Sequence, residues 1–304
     1  MLFQADLENA AEAASFKPPQ LAFNLLVGSP CLWSIAKDGS DVGLGPGLEI
    51  LGLPNIPQFL KEAESRPDEF MKLKSPIYYE EALLSIAEFV GANIENMVFV
   101  ENTTTGINTV LKAMKFKKGE SILINNLTHE AVSNTVVDVC DNPDLETTVV
   151  KLEIKLPIRS KEEIIQQYSD VLEDNPSVKV AVVDHITSSS AMVMPIKELI
   201  EVCKSKDVQV VIDGAQAIGQ LQFNLGELGA DYYIGNLHKW MFGVRGSAIL
   251  WIHPKHYKSI KPLITGHNYQ QSLFNQFFNQ GTRDSSAYFC APAAIKFFEE
   301  IGGF

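Results

Sequence analysis

Short apolar runs alternate along the chain with longer stretches whose apolar residues recur at helical spacing. The short runs are rich in β-branched residues and predict strands, whereas the spaced positions predict amphipathic helices. The predicted strands occupy residues 97–100, 121–125, 147–152, 178–184, 208–213, 230–235 and 246–252, and the predicted helices 56–66, 80–90, 107–114, 130–139, 161–172 and 196–206. Such alternation is typical of an α/β fold, in which a mostly parallel sheet is sandwiched by helices.

This pattern divides the chain into three segments. Residues 1–75 are expected to be an irregular N-terminal segment apart from the helix at 56–66, because glycines and prolines crowd residues 28–47. Residues 76–265 carry the alternating pattern and are expected to form the large, ligand-binding domain. Residues 266–304 are expected to begin a C-terminal region, and their stretch 269–280 is predicted to be an aromatic, amide-rich loop.

Composition narrows the class of protein. The 304 residues carry a net charge of −12, which argues against a nucleic-acid binder because neutralising phosphates needs a basic face. Cys31, Cys140, Cys203 and Cys290 lie far apart without metal-ligand spacing, so no metal site is predicted. No apolar run is long enough to span a membrane, and the N-terminus lacks the basic region of a signal peptide. We therefore expect a cytoplasmic protein.

An aspartate and a lysine follow consecutive predicted strands. Asp213 ends the run 208–213, and Lys239 follows the run 230–235. In α/β sheets ligands bind at the carboxyl ends of the strands. A lysine can form a Schiff base with the aldehyde of pyridoxal phosphate, and a carboxylate can keep the pyridinium nitrogen protonated so that the ring accepts electrons. Each residue alone has an ordinary explanation, but the pair indicates a pyridoxal phosphate site.

Further polar residues fall at the same predicted edge. Residues 101–106 (ENTTTG) are predicted to form a turn, and its part 102–106 opens a helix, where N–H groups and hydroxyls could hold a phosphate or merely cap the helix. His129 could stack on a pyridine ring or lie on the surface. Residues 184–188 (DHITS) follow an apolar strand, and of these Ser188 is preferred over His185 as a cofactor contact.

Four candidates lie near or beyond the lysine. Gln216 could hydrogen-bond the phenolic oxygen of the cofactor, and His238 could face its phosphate. Thr282 could also contact phosphate. Arg283 could bind the phosphate or a substrate carboxylate, or form a structural salt bridge.

Several linked segments resemble a known family. The segments are ENTTTGINTVL (101–111), DHITSSSAMVMPIKEL (184–199), DGAQAIGQ (213–220), NLHKW (236–240), GSAILW (246–251) and GTRDSSAYFCAPAAIKFF (281–298). Together they look like class V aminotransferase-type enzymes of fold type I, which use pyridoxal phosphate. The nearest branch is the isopenicillin N epimerase-like group, beside the cysteine desulfurases and the ergothioneine-pathway carbon–sulfur lyases.

The resemblance implies a homodimer whose active site lies between the subunits. By motif position it implies the Schiff base for Lys239, the ring-nitrogen contact for Asp213, ring stacking for His129, phosphate contacts for Thr104, Thr105 and His238, and a contact to the neighbouring subunit's phosphate for Thr282. Gln216 matches the glutamine of the desulfurases, where many relatives of the epimerase-like branch carry histidine.

Two features depart from the family pattern. The family continues into a small C-terminal domain that usually supplies an arginine for the substrate carboxylate, and this domain is expected to be missing or truncated here. The N-terminal glycine-rich substrate loop, often Asn-His-Gly in relatives, is not recognisable in residues 26–48.

The predicted function is that of a pyridoxal phosphate-dependent enzyme acting on an amino acid. Carbon–sulfur lyase or desulfurase-like chemistry is favoured, partly because Gln216 matches that neighbour. Epimerisation and transamination stay open, since the cofactor permits all three reactions. The alternative from a different class is a non-catalytic truncated paralogue. A nucleotide-binding Rossmann protein is disfavoured because no GxGxxG opens the first helix.

Overall fold

A computed structural model describes residues 55–144 and 146–304, and seven strands in these ranges form one sheet. The strands are β1 (Met97–Val100), β2 (Ser121–Asn125), β3 (Thr148–Leu152), β4 (Val178–Asp184), β5 (Gln209–Asp213), β6 (Tyr232–Asn236) and β7 (Ala248–Ile252). Their order across the sheet is β1-β7-β6-β5-β4-β2-β3. Strands β2 to β6 pair in parallel, and β7 runs antiparallel between β6 and β1. The predicted mostly parallel α/β sheet is confirmed.

Helices connect and cover these strands. They are α1 (Asn55–Ser65), α2 (Ser75–Val90), α3 (Thr103–Ala113), α4 (Glu130–Cys140), α5 (Lys161–Asp174), α6 (Ile196–Ser205), α7 (Leu225–Leu228), α8 (Leu273–Phe278), α9 (Ser286–Phe289) and α10 (Ala291–Glu300). A helical turn (Pro67–Glu69) and a π-helical segment (Phe70–Lys74) join α1 to α2, and 3₁₀ turns lie at Ile94–Asn96 and Pro254–His256. No helix within the described ranges is long and apolar enough to cross a membrane.

Apolar side chains cover both faces of the sheet. One face packs against α2, α5 and α6, with Tyr79 and Tyr168 fully buried. The other packs against α3 and α4, with Ile107 and Val136 fully buried. Every residue of β2, β6 and β7 is buried, which explains why these strands read as continuous apolar runs rather than alternating ones.

Two predicted loops contain helices. The turn predicted at 101–106 ends early, because α3 begins at Thr103 and the Asn102 side chain caps it by accepting the Thr105 N–H at 2.8 Å. The predicted loop 269–280 contains α8, whose first turn is capped by the Ser272 hydroxyl. In both cases a polar side chain caps the first turn of a helix that begins inside the predicted loop. Residues 67–74, for which no element was predicted, are helical as well.

The structure describes only part of the first predicted segment and nearly all of the other two. Most of segment 1–75 lies outside the described residues, including the glycine-rich stretch 28–47, residues 26–48 considered for the substrate loop, and Cys31. Residues 266–304 contact the sheet, since the Tyr288 ring stacks on Phe99 of β1 with centroids 4.9 Å apart. The boundaries at 75 and 265 stay predictions.

Candidate active site

The carboxyl ends of parallel strands surround one cavity of about 220 Å³. Its wall is built from the residues that follow β2, β4, β5 and β6, together with the first turn of α3. The wall brings together these predicted site residues: Thr104, His129, Ser188, Asp213, Gln216, His238 and Lys239. Residues more than 100 positions apart in sequence thus meet because parallel strands end at one edge.

Asp213 and Lys239 form the charged centre of this cavity. Asp213 is buried at the end of β5, and its Oδ1 accepts the N–H of Ala215 at 2.9 Å. Burial raises the pKa of Asp213, while the Ala215 bond and the charge of Lys239 oppose that rise. Burial also lowers the pKa of Lys239, and the carboxylate of Asp213 opposes this. A lysine with a lowered pKa carries more free amine at neutral pH and is a better nucleophile.

The backbone directly after Asp213 is packed too closely for any side chain. A Cβ on Gly214 would stand 2.2 Å from Cζ of Tyr233, so this position accepts only glycine. The Gly214 N–H donates to the carbonyl of Ile234 at 2.6 Å. This contact fixes the carboxyl end of β5 against β6, the strand that leads to Lys239.

The first turn of α3 forms one end of the cavity. The N–H of Thr103 donates to Oδ1 of Asn236 at 2.9 Å, which ties this helix to the end of β6. Thr103 and Thr104 line the cavity, and the Thr103 hydroxyl is buried without a hydrogen-bond partner among the described residues. Hydroxyls and a helix N-terminus together suit a phosphate. Thr105 does not line the cavity, and its carbonyl accepts the hydroxyl of Thr109 at 2.8 Å.

His129 and Ser188 line the cavity from the connections after β2 and β4. Nδ1 of His129 accepts the N–H of Ala131 at 3.2 Å, so the ring also caps α4. Ser188 is exposed. His185 instead lies within the protein, where its Nδ1 is 3.0 Å from the hydroxyl of Tyr233 and burial lowers its pKa to about 4. The structure therefore places Ser188 and not His185 at the cavity wall.

Neighbouring groups fix the orientation of Gln216 and His238. Oε1 of Gln216 accepts the indole N–H of Trp240 at 2.8 Å, which leaves the amide nitrogen as a donor. Nδ1 of His238 lies 2.7 Å from the carbonyl oxygen of Ser247, and burial lowers the pKa of this histidine. Both side chains are half-buried and line the cavity.

Two candidates lie away from the wall of the cavity. Arg283 forms an ion pair with Glu101 and also stands over the Tyr288 ring, 5.4 Å from its centroid. This is the salt-bridge alternative considered for Arg283 from the sequence. Thr282 is exposed and is not part of the wall.

Two cavity residues were not singled out from the sequence, Asn236 and Asp184. Asn236 is buried at the end of β6 and lines the cavity beside α3. Asp184 was noted only as part of residues 184–188, yet it is buried at the end of β4 next to Asp213. The available signal was the same for both residues, a polar side chain that ends a buried apolar strand.

The residues present fit pyridoxal phosphate. A cavity of about 150 Å³ holds benzene in another protein, so about 220 Å³ accommodates one substituted six-membered ring. The unpartnered Thr103 hydroxyl offers a phosphate contact at one end. The amine of Lys239 and the carboxyl of Asp213 offer the partners for an aldehyde and a ring nitrogen.

Two known proteins with similar sequences are named for reactions at carbon–sulfur bonds. The chain is 26% identical over 266 residues to an L-cysteine desulfhydrase-like protein of Epichloe uncinata, covering 79% of this chain and 58% of that protein. It is 27% identical over 256 residues to the hercynylcysteine sulfoxide lyase of Schizosaccharomyces pombe, covering 81% of this chain and 64% of that protein. The chain thus spans less than two thirds of the length of these relatives.

A solved structure has the same fold as this chain, and a family model matches most of its sequence. The cystine C–S lyase C-DES, in complex with its product cysteine persulfide, superposes with a TM-score of 0.72 at 19% identity, covering 83% of this chain and 69% of that one. Residues 65–303 match the family described as Aminotransferase class-V. The chain therefore belongs to the class V aminotransferase family of pyridoxal phosphate-dependent enzymes, as the sequence motifs predicted.

Proposed function

We propose that this chain acts on an amino acid through pyridoxal phosphate bound covalently to Lys239, and that it cleaves a carbon–sulfur bond. The observation that carries this proposal is the meeting of Lys239 and Asp213 in one cavity, where burial lowers the pKa of the lysine. These two residues, rather than the fold, support the use of pyridoxal phosphate.

Each side chain of the cavity has a distinct task in this proposal. When bound, the cofactor supplies a ring that accepts negative charge from the substrate carbon next to the amino group. Lys239 Nζ would hold the aldehyde carbon until the substrate amine takes its place, and the released amine would then accept the proton from that substrate carbon. The Asp213 carboxylate holds the proton of the ring nitrogen.

The remaining wall residues bind and orient. Thr103, Thr104 and His238 face the phosphate end, with Thr105 retained as a predicted phosphate contact that does not line the cavity. His129 covers one face of the ring. The free amide nitrogen of Gln216 donates to the phenolic oxygen, because its oxygen is already bonded to Trp240. Ser188 contacts the cofactor from the connection after β4.

Carbon–sulfur cleavage is supported by the relatives and by one residue. Both relatives are named for reactions of sulfur-containing amino acids, desulfhydration in one and sulfoxide cleavage in the other. Gln216 is the residue type found in the desulfurase branch of the family. Epimerisation and transamination use the same cofactor and the same lysine, and no contact in the cavity favours either of them.

The test of covalent binding is an absorption spectrum of the full chain with pyridoxal phosphate. We expect a near-visible band that borohydride abolishes, with the reduced adduct located on Lys239 by peptide mass spectrometry. Lys239→Ala should lack the band. Lys296→Ala is the matched control, because that lysine side chain is 77% exposed, and it should keep the band. Absence of the band in folded wild-type protein would overturn the assignment.

The test of the reaction is a substrate panel of L-cysteine, L-cystine, an S-substituted cysteine and L-alanine. We expect a sulfur-containing product together with pyruvate and ammonia from at least one of the sulfur amino acids, and no such products from alanine. Conversion of an L-amino acid to its D-form without release of sulfur would identify an epimerase instead. Transfer of the amino group to a keto acid would identify an aminotransferase.

We further propose that the chain forms a homodimer in the cytoplasm, with Thr282 reaching the phosphate bound by the neighbouring subunit. Its exposed position outside the cavity wall supports a contact to another subunit rather than to its own site. Sedimentation equilibrium should give twice the mass of the chain, and Thr282→Ala should weaken cofactor binding. A monomer that binds the cofactor with wild-type affinity would contradict this arrangement.

A further inference from the structure

Two carboxyl side chains lie next to each other in the wall of the cavity. Asp184 ends β4 and Asp213 ends β5, and the two are register partners on neighbouring parallel strands. Neighbouring strands lie about 4.8 Å apart, and register partners project to the same side of a sheet. Only 3% of Asp184 and 6% of Asp213 is exposed. Two buried carboxylates at this spacing repel each other strongly when both are ionised.

The surroundings of the two carboxyl groups differ. Oδ1 of Asp213 accepts the Ala215 N–H at 2.9 Å, and the charge of Lys239 favours its ionised form. Oδ2 of Asp184 is buried without a hydrogen-bond partner among the described residues. An ionised oxygen left unpaired in a buried place is costly, whereas a neutral carboxyl is tolerated there. The negative charge is therefore favoured on Asp213.

We propose that Asp184 and Asp213 form a carboxyl pair that holds one proton at neutral pH, and that this proton resides on Asp184. Asp184 is then a neutral donor in the wall of the cavity and leaves Asp213 as the single negative charge of the pair. Burial and the charge of Asp213 raise the pKa of Asp184 to about 8, which agrees with this distribution.

Groups on the neighbouring elements are consistent with one negative charge. Lys239 faces Asp213 from the connection after β6, with His238 beside it, and His129 faces Asp213 from the connection after β2. The Thr128 hydroxyl, on the same connection, accepts the N–H of Asn125 at 3.2 Å. One ionised carboxyl balances one charged lysine, whereas two would leave the buried site negative. Under the proposed function, Asp184 is thus a positioning residue that keeps Asp213 available to a ring nitrogen.

The proton can be observed without any cofactor. Ordinary aspartates and glutamates have pKa values near 4, so at pH 7 a protonated-carboxyl stretch in the infrared spectrum reports only unusual groups. We expect this band in the full chain at pH 7, with loss of the band as the pH rises through about 8. Asp184→Asn should remove it. Asp213→Asn should retain it, with a lower midpoint, because the neighbouring charge has gone.

Asp207→Asn provides the matched control. The Asp207 side chain is fully exposed and its φ is 58°, a conformation that asparagine also adopts, so the band should be unchanged. Asp184→Ser repeats the test if the asparagine variant does not fold. The proposal is overturned if folded wild-type protein lacks the band at pH 7, or if the band survives Asp184→Asn but not Asp213→Asn. Because cofactor is absent, these outcomes do not depend on whether the chain proves to be an enzyme.

Discussion

Buried aspartates at the two ends of the sheet are held in opposite ways. Asp231, at the start of β6, accepts bonds from the Val210 N–H at 2.8 Å, Nε2 of His256 at 2.7 Å and Nζ of Lys255 at 2.6 Å. Burial raises the pKa of Asp231, but these bonds outweigh it and bring the pKa to about 2. Asp184, at the other end, has an unpartnered oxygen and a pKa raised to about 8.

The two aspartates differ in how completely their hydrogen bonds are made. A buried polar group with complete hydrogen bonds stabilises the fold and has little capacity left for a ligand. A buried group with incomplete bonds destabilises the fold, and where it lines a cavity it leaves a hydrogen-bond partner for a ligand to supply. Two such groups among the described residues line the cavity, the Thr103 hydroxyl and the Asp184 carboxyl.

The largest expected effect comes from the charge at the cavity end. Asp213→Asn removes the only carboxylate that would face the ring nitrogen. Loss of one partner of a buried ion pair costs about 3 kcal/mol, so the Kd for pyridoxal phosphate should rise roughly 100-fold. Absorbance titration of the full chain measures this Kd, and Asp207→Asn should leave it unchanged. An unaltered Kd in Asp213→Asn would remove Asp213 from the binding site.

At the opposite end of the sheet, Asp231→Asn should lower the stability of the fold rather than weaken cofactor binding. The pKa of Asp231 is about 2 in the folded chain and near 3.8 when unfolded. A depressed pKa gives stability that is present above pH 4 and is lost as the pH falls toward 2, and this shift corresponds to about 2 kcal/mol. Asp231→Asn should therefore lower the unfolding free energy by about 2 kcal/mol at pH 7. Urea denaturation from pH 7 to pH 3 should show a smaller acid loss in the variant than in the wild type.

Asp184→Asn should change stability in the other direction. The pKa of Asp184 is raised on folding, so the folded chain binds more protons than the unfolded chain between about pH 4 and pH 8. Its favourable contribution is present below pH 4 and is lost as the pH rises through that window. The variant should gain unfolding free energy over the wild type, on the order of 1 kcal/mol at pH 8 and less at pH 5. Destabilisation at both pH values would place Asp184 with Asp231 as a structural carboxylate.

The sequence predicts best those features that neighbouring residues along the chain determine. The strands 97–100, 121–125 and 178–184 were predicted to the residue, because strands buried on both faces read as uninterrupted apolar runs. The start of α3 was predicted too late, since one side-chain cap at Asn102 moves it to Thr103. The same shift in helix phase places Thr103 and Thr104 in the wall of the cavity and leaves Thr105 out of it.

Contacts between strands lie beyond a reading of the sequence alone. Lys239 and Asp213 were identified because residues that end parallel strands gather at one edge. The pairing of Asp184 with Asp213 depends on β4 lying next to β5 in register, and the bond from Thr103 to Asn236 depends on α3 packing against β6. A Cβ on Gly106 would stand 2.6 Å from Cγ2 of Ile234, so this packing also needs the glycine of the NTTTG segment.

The smallest expected effect concerns Arg283, for which the sequence left a substrate contact and a salt bridge open. Its guanidinium pairs with Glu101, just before α3, and with the face of the Tyr288 ring. The side chains of Arg283 and Glu101 are 26% and 40% exposed, so solvent screens the ion pair between them. A double-mutant cycle of Arg283→Ala and Glu101→Ala should give a coupling below about 1 kcal/mol in urea denaturation.

Catalysis separates the two interpretations of Arg283 more sharply than stability does. If the arginine serves only the ion pair, Arg283→Ala and Glu101→Ala should change KM equally little, because neither residue lines the cavity. If it binds the substrate carboxylate, Arg283→Ala alone should raise KM tenfold or more, a loss of about 1.4 kcal/mol, while Glu101→Ala should not. If only Arg283→Ala raises KM, and the double-mutant cycle shows no coupling to Glu101, Arg283 binds the substrate rather than serving the ion pair.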